Sequence, residues 1–254
     1  MFTAITRDVS PSIQRCELSH VERVPIDLEK ALHQHREYEA TLTSLSVRLH
    51  TLPAEPDLPD SVFVEDTAVV LDECAIITRP GAAGRRAETA SVADAVGRYR
   101  QLHWIQAPGT VDGGDVLQLG RCVYVGLSQR SNRIAVEQMQ ALLAPYGYTV
   151  RGIPVRGCLH LKSAVTQVAA DTVLINPAWV AKDSLPGLKF IDVDAHEPYA
   201  ANALMIGDTV VYQPSYPRTN ALLDQAGIET ILVDMSELGK AEGALTCCSL
   251  IFRV

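Results

Sequence analysis

No apolar run in this chain approaches the roughly 20 residues a membrane-spanning helix needs, and Met1–Asp8 lacks the apolar stretch of a secretory signal. A cytoplasmic location without membrane attachment is therefore expected. Basic residues are outnumbered, 22 against 30 acidic, for a net charge of -8. That argues against a nucleic-acid partner, because phosphate binding needs a basic footprint. The cysteines at 16, 74, 122, 158, 247 and 248 form no CxxC pair, so no spacing supports a structural zinc site. A chain of 254 residues also needs no disulfide staples. Gly/Ser linkers, charge blocks and low-complexity tracts are missing too, so residues 1–254 read as one domain.

What is present is a recurring unit of strand, tight acidic or glycine turn, second strand and helix. It appears as Phe63–Val70 with Cys74–Ile77, and as Asp115–Gly120 with Cys122–Gly126. It recurs as Ala164–Val168 with Thr172–Ile175, and as Ala203–Ile206 with Thr209–Tyr212. Alternating apolar residues punctuated by Gly and Asp are what hairpins require. The fifth unit is split, with Cys247–Val254 expected to pair with Phe2–Thr6. A period of roughly 40 to 50 residues points to a repeated, closed architecture; a non-repeating α+β sandwich is the plainer alternative. Helices are expected behind a cap at Asp27 (Leu28, Ala31, Leu32, Leu42, Leu45), over Ile134–Leu143, and less distinctly over Ser91–Tyr99 and Ala221–Leu223.

Candidate chemistry starts with the thiols of Leu245-Thr246-Cys247-Cys248-Ser249-Leu250, set between small residues at the mouth of an apolar strand. A catalytic thiol needs a proton-transfer partner and a group to orient it. Six of the seven histidines (20, 33, 35, 50, 103 and 196) read as solvated. His160 lies between Leu159 and Leu161 and reads as one face of a strand; a hydrogen-bonded core histidine is the plainer reading. A Cys158/His160/Cys247/Cys248 zinc cluster has no ligand spacing behind it. Acids gather at 57–66, where Glu65 and Asp66 would point to opposite faces of a strand, and at Asp112-Gly113-Gly114-Asp115. An acid pair in an apolar segment is costly unless matched to a cation. The glycines are an ordinary turn or a place where backbone approaches a ligand closely.

Five motifs in this order, Leu58–Asp66, Ile77–Gly81 with Arg85-Arg86, Gly109–Val116, Leu159–Ser163 and Leu245–Leu250, resemble the dimethylarginine dimethylaminohydrolase family of guanidino-group-modifying enzymes over essentially the whole chain. The resemblance implies an α/β fold, a five-bladed ββαβ propeller closed through its termini. It also implies hydrolysis of Nω-methylated arginine to citrulline and a methylamine through a covalent S-alkylthiouronium. Cys247 would be the nucleophile, His160 general acid then base, and Asp112 the group orienting His160 or the guanidinium. Asp66 would bind guanidinium nitrogens with Glu65 and Phe63 shaping the pocket, while Arg85 and Arg130 engage the substrate carboxylate. Asp60 and the backbones of Leu18 and Ala241 would meet the α-amino end, Leu18 from a lid loop. No cofactor or metal is implied, and a homodimer is the default assembly. The rivals are an arginine deiminase-type activity on unmethylated arginine and a non-catalytic propeller that binds a macromolecule.

Overall fold

Short alternating segments closed by Gly and Asp turns give short strands. The computed structural model, which describes residues 1–254, arranges fifteen of them in five three-stranded sheets. β1 (Phe2–Arg7), α1 (Leu28–Ser44) and β2 (Arg48–Leu52) come first. β3 (Ala68–Val70), β4 (Cys74–Ile77), α2 (Thr89–Val96) and β5 (Gln101–Trp104) follow. The third unit is β6 (Val116–Leu119), β7 (Cys122–Leu127), α3 (Arg133–Leu143) and β8 (Thr149–Pro154). A one-turn helix, α4 (Leu161–Ala164), precedes β9 (Val165–Ala169), β10 (Thr172–Ile175) and β11 (Lys189–Asp192). The fifth is β12 (Leu204–Ile206), β13 (Thr209–Tyr212), α5 (Pro217–Gln225) and β14 (Thr230–Leu232), after which α6 (Ser236–Gly239) leads to β15 (Leu250–Arg253).

Each sheet repeats one pattern, a middle strand antiparallel to one neighbour and parallel to the other. In the first sheet the antiparallel partner comes from the far end of the chain: β15 pairs with β1, Phe2 opposite Arg253 and Ile5 opposite Leu250. The terminal pairing expected from the sequence is present over this shorter stretch. Parallel neighbours need a crossover, and α1, α2, α3 and α5 supply it in four units. Between β10 and β11 there is only the 3-10 turn Lys182–Ser184, not the expected helix. Pro186-Gly187 closes that connection, so a helix could run no further than Leu185.

The Asp27 side chain accepts the Lys30 N–H at 3.1 Å, a cap that contributes about 1 kcal/mol. The helix it starts buries Ala31, Gln34, His35, Tyr38 and Leu42 along one stripe. His35 is thus buried, not solvated as its polar surroundings suggest, because it falls on that stripe. The apolar core divides into five clusters, each shared by two sheets. Ile5 and Leu250 meet Ala75 and Ile77; Ile76 meets Val123; Tyr124 meets Val173; Leu174 meets Val210; and Val211 meets Ala4 across the last and first sheets. Burying each Val, Leu or Ile contributes roughly 1.5–3 kcal/mol. No helix is long and apolar enough to cross a membrane.

Candidate active site

Glu65 and Asp66 do not lie in a strand. Residues Val64–Thr67 form a 3-10 turn ahead of β3, so both acids are buried and face different neighbours about a third of a turn apart, without strand alternation. Glu65 Oε1 accepts Lys162 Nζ at 2.6 Å and Oε2 accepts Thr246 Oγ1 at 2.8 Å. Asp66 Oδ1 accepts the Gly114 N–H at 2.9 Å, while Oδ2 takes Arg85 Nη1. The double glycine is there for close approach. A Cβ on Gly113 would lie 1.9 Å from the Glu65 carbonyl oxygen, and one on Gly114 2.6 Å from His160 Nδ1.

His160 is not on a strand either. It is the extended residue that precedes α4, and its ring is 4% exposed among three carboxylates. Nε2 and Asp112 Oδ2 are 3.1 Å apart. Nδ1 lies 3.8 Å from Asp66 Oδ1, beyond hydrogen-bond reach, and is the ring nitrogen left to serve a bound molecule. Burial disfavours the imidazolium, but Asp66, the bond to Asp112 and Asp115 outweigh it and hold the pKa at about 9. Asp66 is likewise disfavoured as an anion by burial, yet His160 and Arg85 bring it down to about 2. Asp112 is fixed from behind, accepting the Gly81 N–H at 2.8 Å. Asp115, the other acid of the glycine motif, holds the scaffold. It accepts the Leu161 N–H at 2.9 Å and both Ser128 Oγ and Ser131 Oγ at 2.6 Å, and burial raises it to about 6.

Arg85 is buried and heavily engaged. Its Nε and Nη2 chelate Glu88, and Nη2 also donates to the Asp60 and Phe63 carbonyls. Burial pushes Glu88 up to about 7 although Arg85 opposes it. Arg130 is less occupied, with one bond from Nη2 to Ser19 Oγ at 2.9 Å. The Asp60 carboxylate accepts the Glu17 N–H at 3.1 Å, which anchors the start of the segment carrying Leu18. Leu18 packs, half-buried, against the cluster that includes Phe63, Ala241 and Cys247.

Cys247 sits in a 3-10 turn, Thr246–Cys248, one residue before the final strand leaves Ser249. Its thiol pKa is raised well above the ordinary value by burial, with Glu65 and Asp66 adding to the effect. Cys248 is fully buried and its thiol lies 3.7 Å from the Ala244 carbonyl oxygen. The neighbouring Ser249 shares a 2.6 Å hydrogen bond with Tyr38 of α1.

Eight expected site residues, Asp60, Phe63, Asp66, Arg85, Arg130, His160, Ala241 and Cys247, line one cavity of about 20 Å³. Asp112 stands behind His160. Glu65 lies a layer deeper, against a separate 270 Å³ cavity that Lys162 and Thr246 also line. Asp66, Asp112 and His160 place ligand atoms within 4.8 Å of one another, a geometry that a cation would find, although those atoms already serve each other. Sequence reasoning missed Glu88, Lys162, Asn202, whose Nδ2 donates to Thr246 Oγ1 at 3.0 Å, and Glu242, which lines the cavity. Lys162 stood inside a motif already singled out, and the buried acid Glu65 was the signal that a cation had to be near.

The model for eukaryotic N,N dimethylarginine dimethylhydrolases matches residues 13–184, and that for arginine deiminases matches residues 184–253. An N(G),N(G)-dimethylarginine dimethylaminohydrolase of Streptomyces coelicolor is 41% identical, over 98% of this chain and 96% of its own length. The Pseudomonas aeruginosa enzyme of the same name is 36% identical, over 89% and 90%. A structure of the Pseudomonas aeruginosa protein, a cysteine-to-serine variant complexed with citrulline, superposes with a TM-score of 0.94 at 34% identity, covering 98% of each chain. The cyanobacterial arginine dihydrolase ArgZ, 18% identical with a TM-score of 0.84 over 99% of this chain and 98% of that N-terminal domain, shares the fold.

Proposed function

The chain belongs to the dimethylarginine dimethylaminohydrolase family, and from that premise we propose that it hydrolyses Nω-methylated L-arginine to L-citrulline and dimethylamine or methylamine. One observation carries this reading. Cys247, His160 and Asp66 line the same cavity, bringing a nucleophile, a proton carrier and a buried anion to one place. A guanidinium bound beside Asp66 would set its carbon before Cys247. Its positive charge offsets the burial and the acids that hold the thiol protonated, so the thiol releases its proton to solvent when substrate arrives. The thiolate attacks the guanidinium carbon, and His160, protonated at neutral pH, gives a proton to the departing amine. The resulting neutral imidazole then takes a proton from the water that resolves the S-alkylthiouronium. Asp112 keeps the ring oriented throughout.

Arg130 has donors to spare for the substrate carboxylate. Arg85 has most of its donors committed to Glu88, Asp66 and backbone, and acts there mainly through the one N–H it retains. Asp60 with the Leu18 and Ala241 backbones would receive the α-amino group. No organic cofactor or metal enters the scheme. The five sheets, the core cluster shared by the last and first of them, and the β1–β15 pairing support a closed five-bladed propeller acting as one catalytic unit over residues 1–254. A cytoplasmic homodimer completes the proposal.

The match of residues 184–253 to arginine deiminases favours one second reading, deimination of unmethylated arginine. Side-by-side assays decide between them. Purified protein is expected to release dimethylamine and citrulline from asymmetric dimethylarginine; faster ammonia release from arginine would overturn the choice.

A further inference from the structure

Residues 19–25 pass beside the site without secondary structure, and all are exposed. Val21 and Val24 are 38% and 43% exposed and pack into none of the five apolar clusters. What ties it to the body of the protein is polar. Glu242 Oε2 accepts the Ser19 N–H at 3.0 Å, and Oε1 accepts the N–H groups of His20 and Val21, the latter at 2.9 Å. The Arg130–Ser19 bond is the second tie, and a third at the far end of the segment is Lys240 Nζ donating to the Pro25 carbonyl at 3.1 Å. Arg23 and Gln14 bond only within the segment and the turn leading into it.

Three successive N–H groups closing on one carboxylate form an anion nest, here with the anion on the body and the nest on the cover. No cation pairs with Glu242, so the amides alone answer its charge. Its backbone is left-handed, φ 59°, one of two non-glycine residues so placed. Glycine is the residue that this conformation favours, and a glutamate there implies a use for its side chain. Glu242 and its neighbours Ala241 and Gly243 also line the cavity that holds Cys247.

We infer that Glu242 is a positioning residue: its carboxylate latches the 19–21 segment over Cys247 and thereby fixes the Leu18 backbone for the substrate's α-amino end. The inference rests on the proposed reaction for its role in substrate binding, but the latch itself does not.

Glu242→Gly tests it, because that change removes the carboxylate and also relieves the left-handed backbone. Amide exchange at Ser19, His20 and Val21, and alkylation of Cys247 by iodoacetamide, are expected to speed up by roughly tenfold, as loss of charge-assisted bonds requires. The thermal midpoint should hold or rise, while KM for asymmetric dimethylarginine rises about tenfold and kcat falls less. Glu242→Gln keeps the backbone cost and one acceptor, so it should show intermediate rates and no gain in midpoint, and it carries the test should the glycine variant fail to fold. Unchanged amide exchange and alkylation would overturn the latch. Both are measured without substrate, so they stay decisive even if the unaltered protein turned over no methylated arginine, the result that would instead sink the reaction.

Discussion

Asp66, Asp112, Asp115 and His160 are buried to within 4% of full exclusion, and each is fixed by partners on other parts of the chain. The segment beside them, residues 19–25, is exposed and hangs on Glu242, Arg130 and Lys240. The floor holds its charges in a low-dielectric setting, where His160 is kept protonated and Cys247 is kept neutral. A cavity of about 20 Å³ is too small for an arginine, so the proposed reaction requires the cover to open, and segments that open are drawn from the least stable parts of a fold. The floor is expensive and rigid, the cover cheap and releasable, and mutations in the two should have different signatures.

The largest effect belongs to the floor. His160→Gln keeps a hydrogen-bonding side chain against Asp112 but has no proton to trade, so kcat should fall by about 10²–10⁴ with KM within a few-fold. Steady-state kinetics on asymmetric dimethylarginine check this, and a loss under tenfold would remove His160 from proton transfer.

Next is the pH dependence of stability. His160 is raised to about 9, Glu88 to about 7 and Asp115 to about 6, so in each case the folded state holds its proton to higher pH than the unfolded chain does. The His160 contribution is complete below its unfolded value of about 6.5 and is lost as pH rises through about 9, on the order of 3 kcal/mol. The two carboxyls slope the same way over the more acidic part of that range. Urea midpoints should therefore fall steadily from pH 6 to pH 9, and the His160→Gln variant should be flatter above pH 6.5. A midpoint that rises across that interval would contradict the buried-charge description of the floor.

The smallest effect belongs to the cover. Val21→Ser should shift global stability by less than about 0.5 kcal/mol, because Val21 lies at the surface and belongs to no apolar cluster of the core. A loss above about 2 kcal/mol in chemical denaturation would mean that the cover is part of the core, and the contrast would fail.

The same contrast governs what the sequence shows. Hairpin strands, the Asp27 cap and the β1–β15 pairing depend on local alternation and turn residues, and all were legible. Glu65 and Asp66 sit in a 3-10 turn where the local sequence suggests a strand. Apolar neighbours mimic alternation there, whereas the actual conformation is set by Gly113 and Gly114 arriving from 48 residues away. The same holds at His160, whose flanking leucines look like a strand while the Asp115 carboxylate fixes the start of α4. Nothing local reveals that Glu88 chelates Arg85 or that Glu242 meets the Ser19 N–H, 223 residues distant in sequence. The motifs single out Cys247, His160, Asp66 and Asp112, and the structure brings the first three to one cavity with Asp112 behind the histidine. Their supporting partners are long-range and emerge only in three dimensions.

The most direct test of the central claim is the mass of the protein quenched in acid during turnover of a methylated arginine. The account predicts an adduct of the S-alkylthiouronium mass on Cys247, absent from Cys248 and absent in Cys247→Ser. Continued turnover with no adduct, or undiminished turnover in Cys247→Ser, would contradict it.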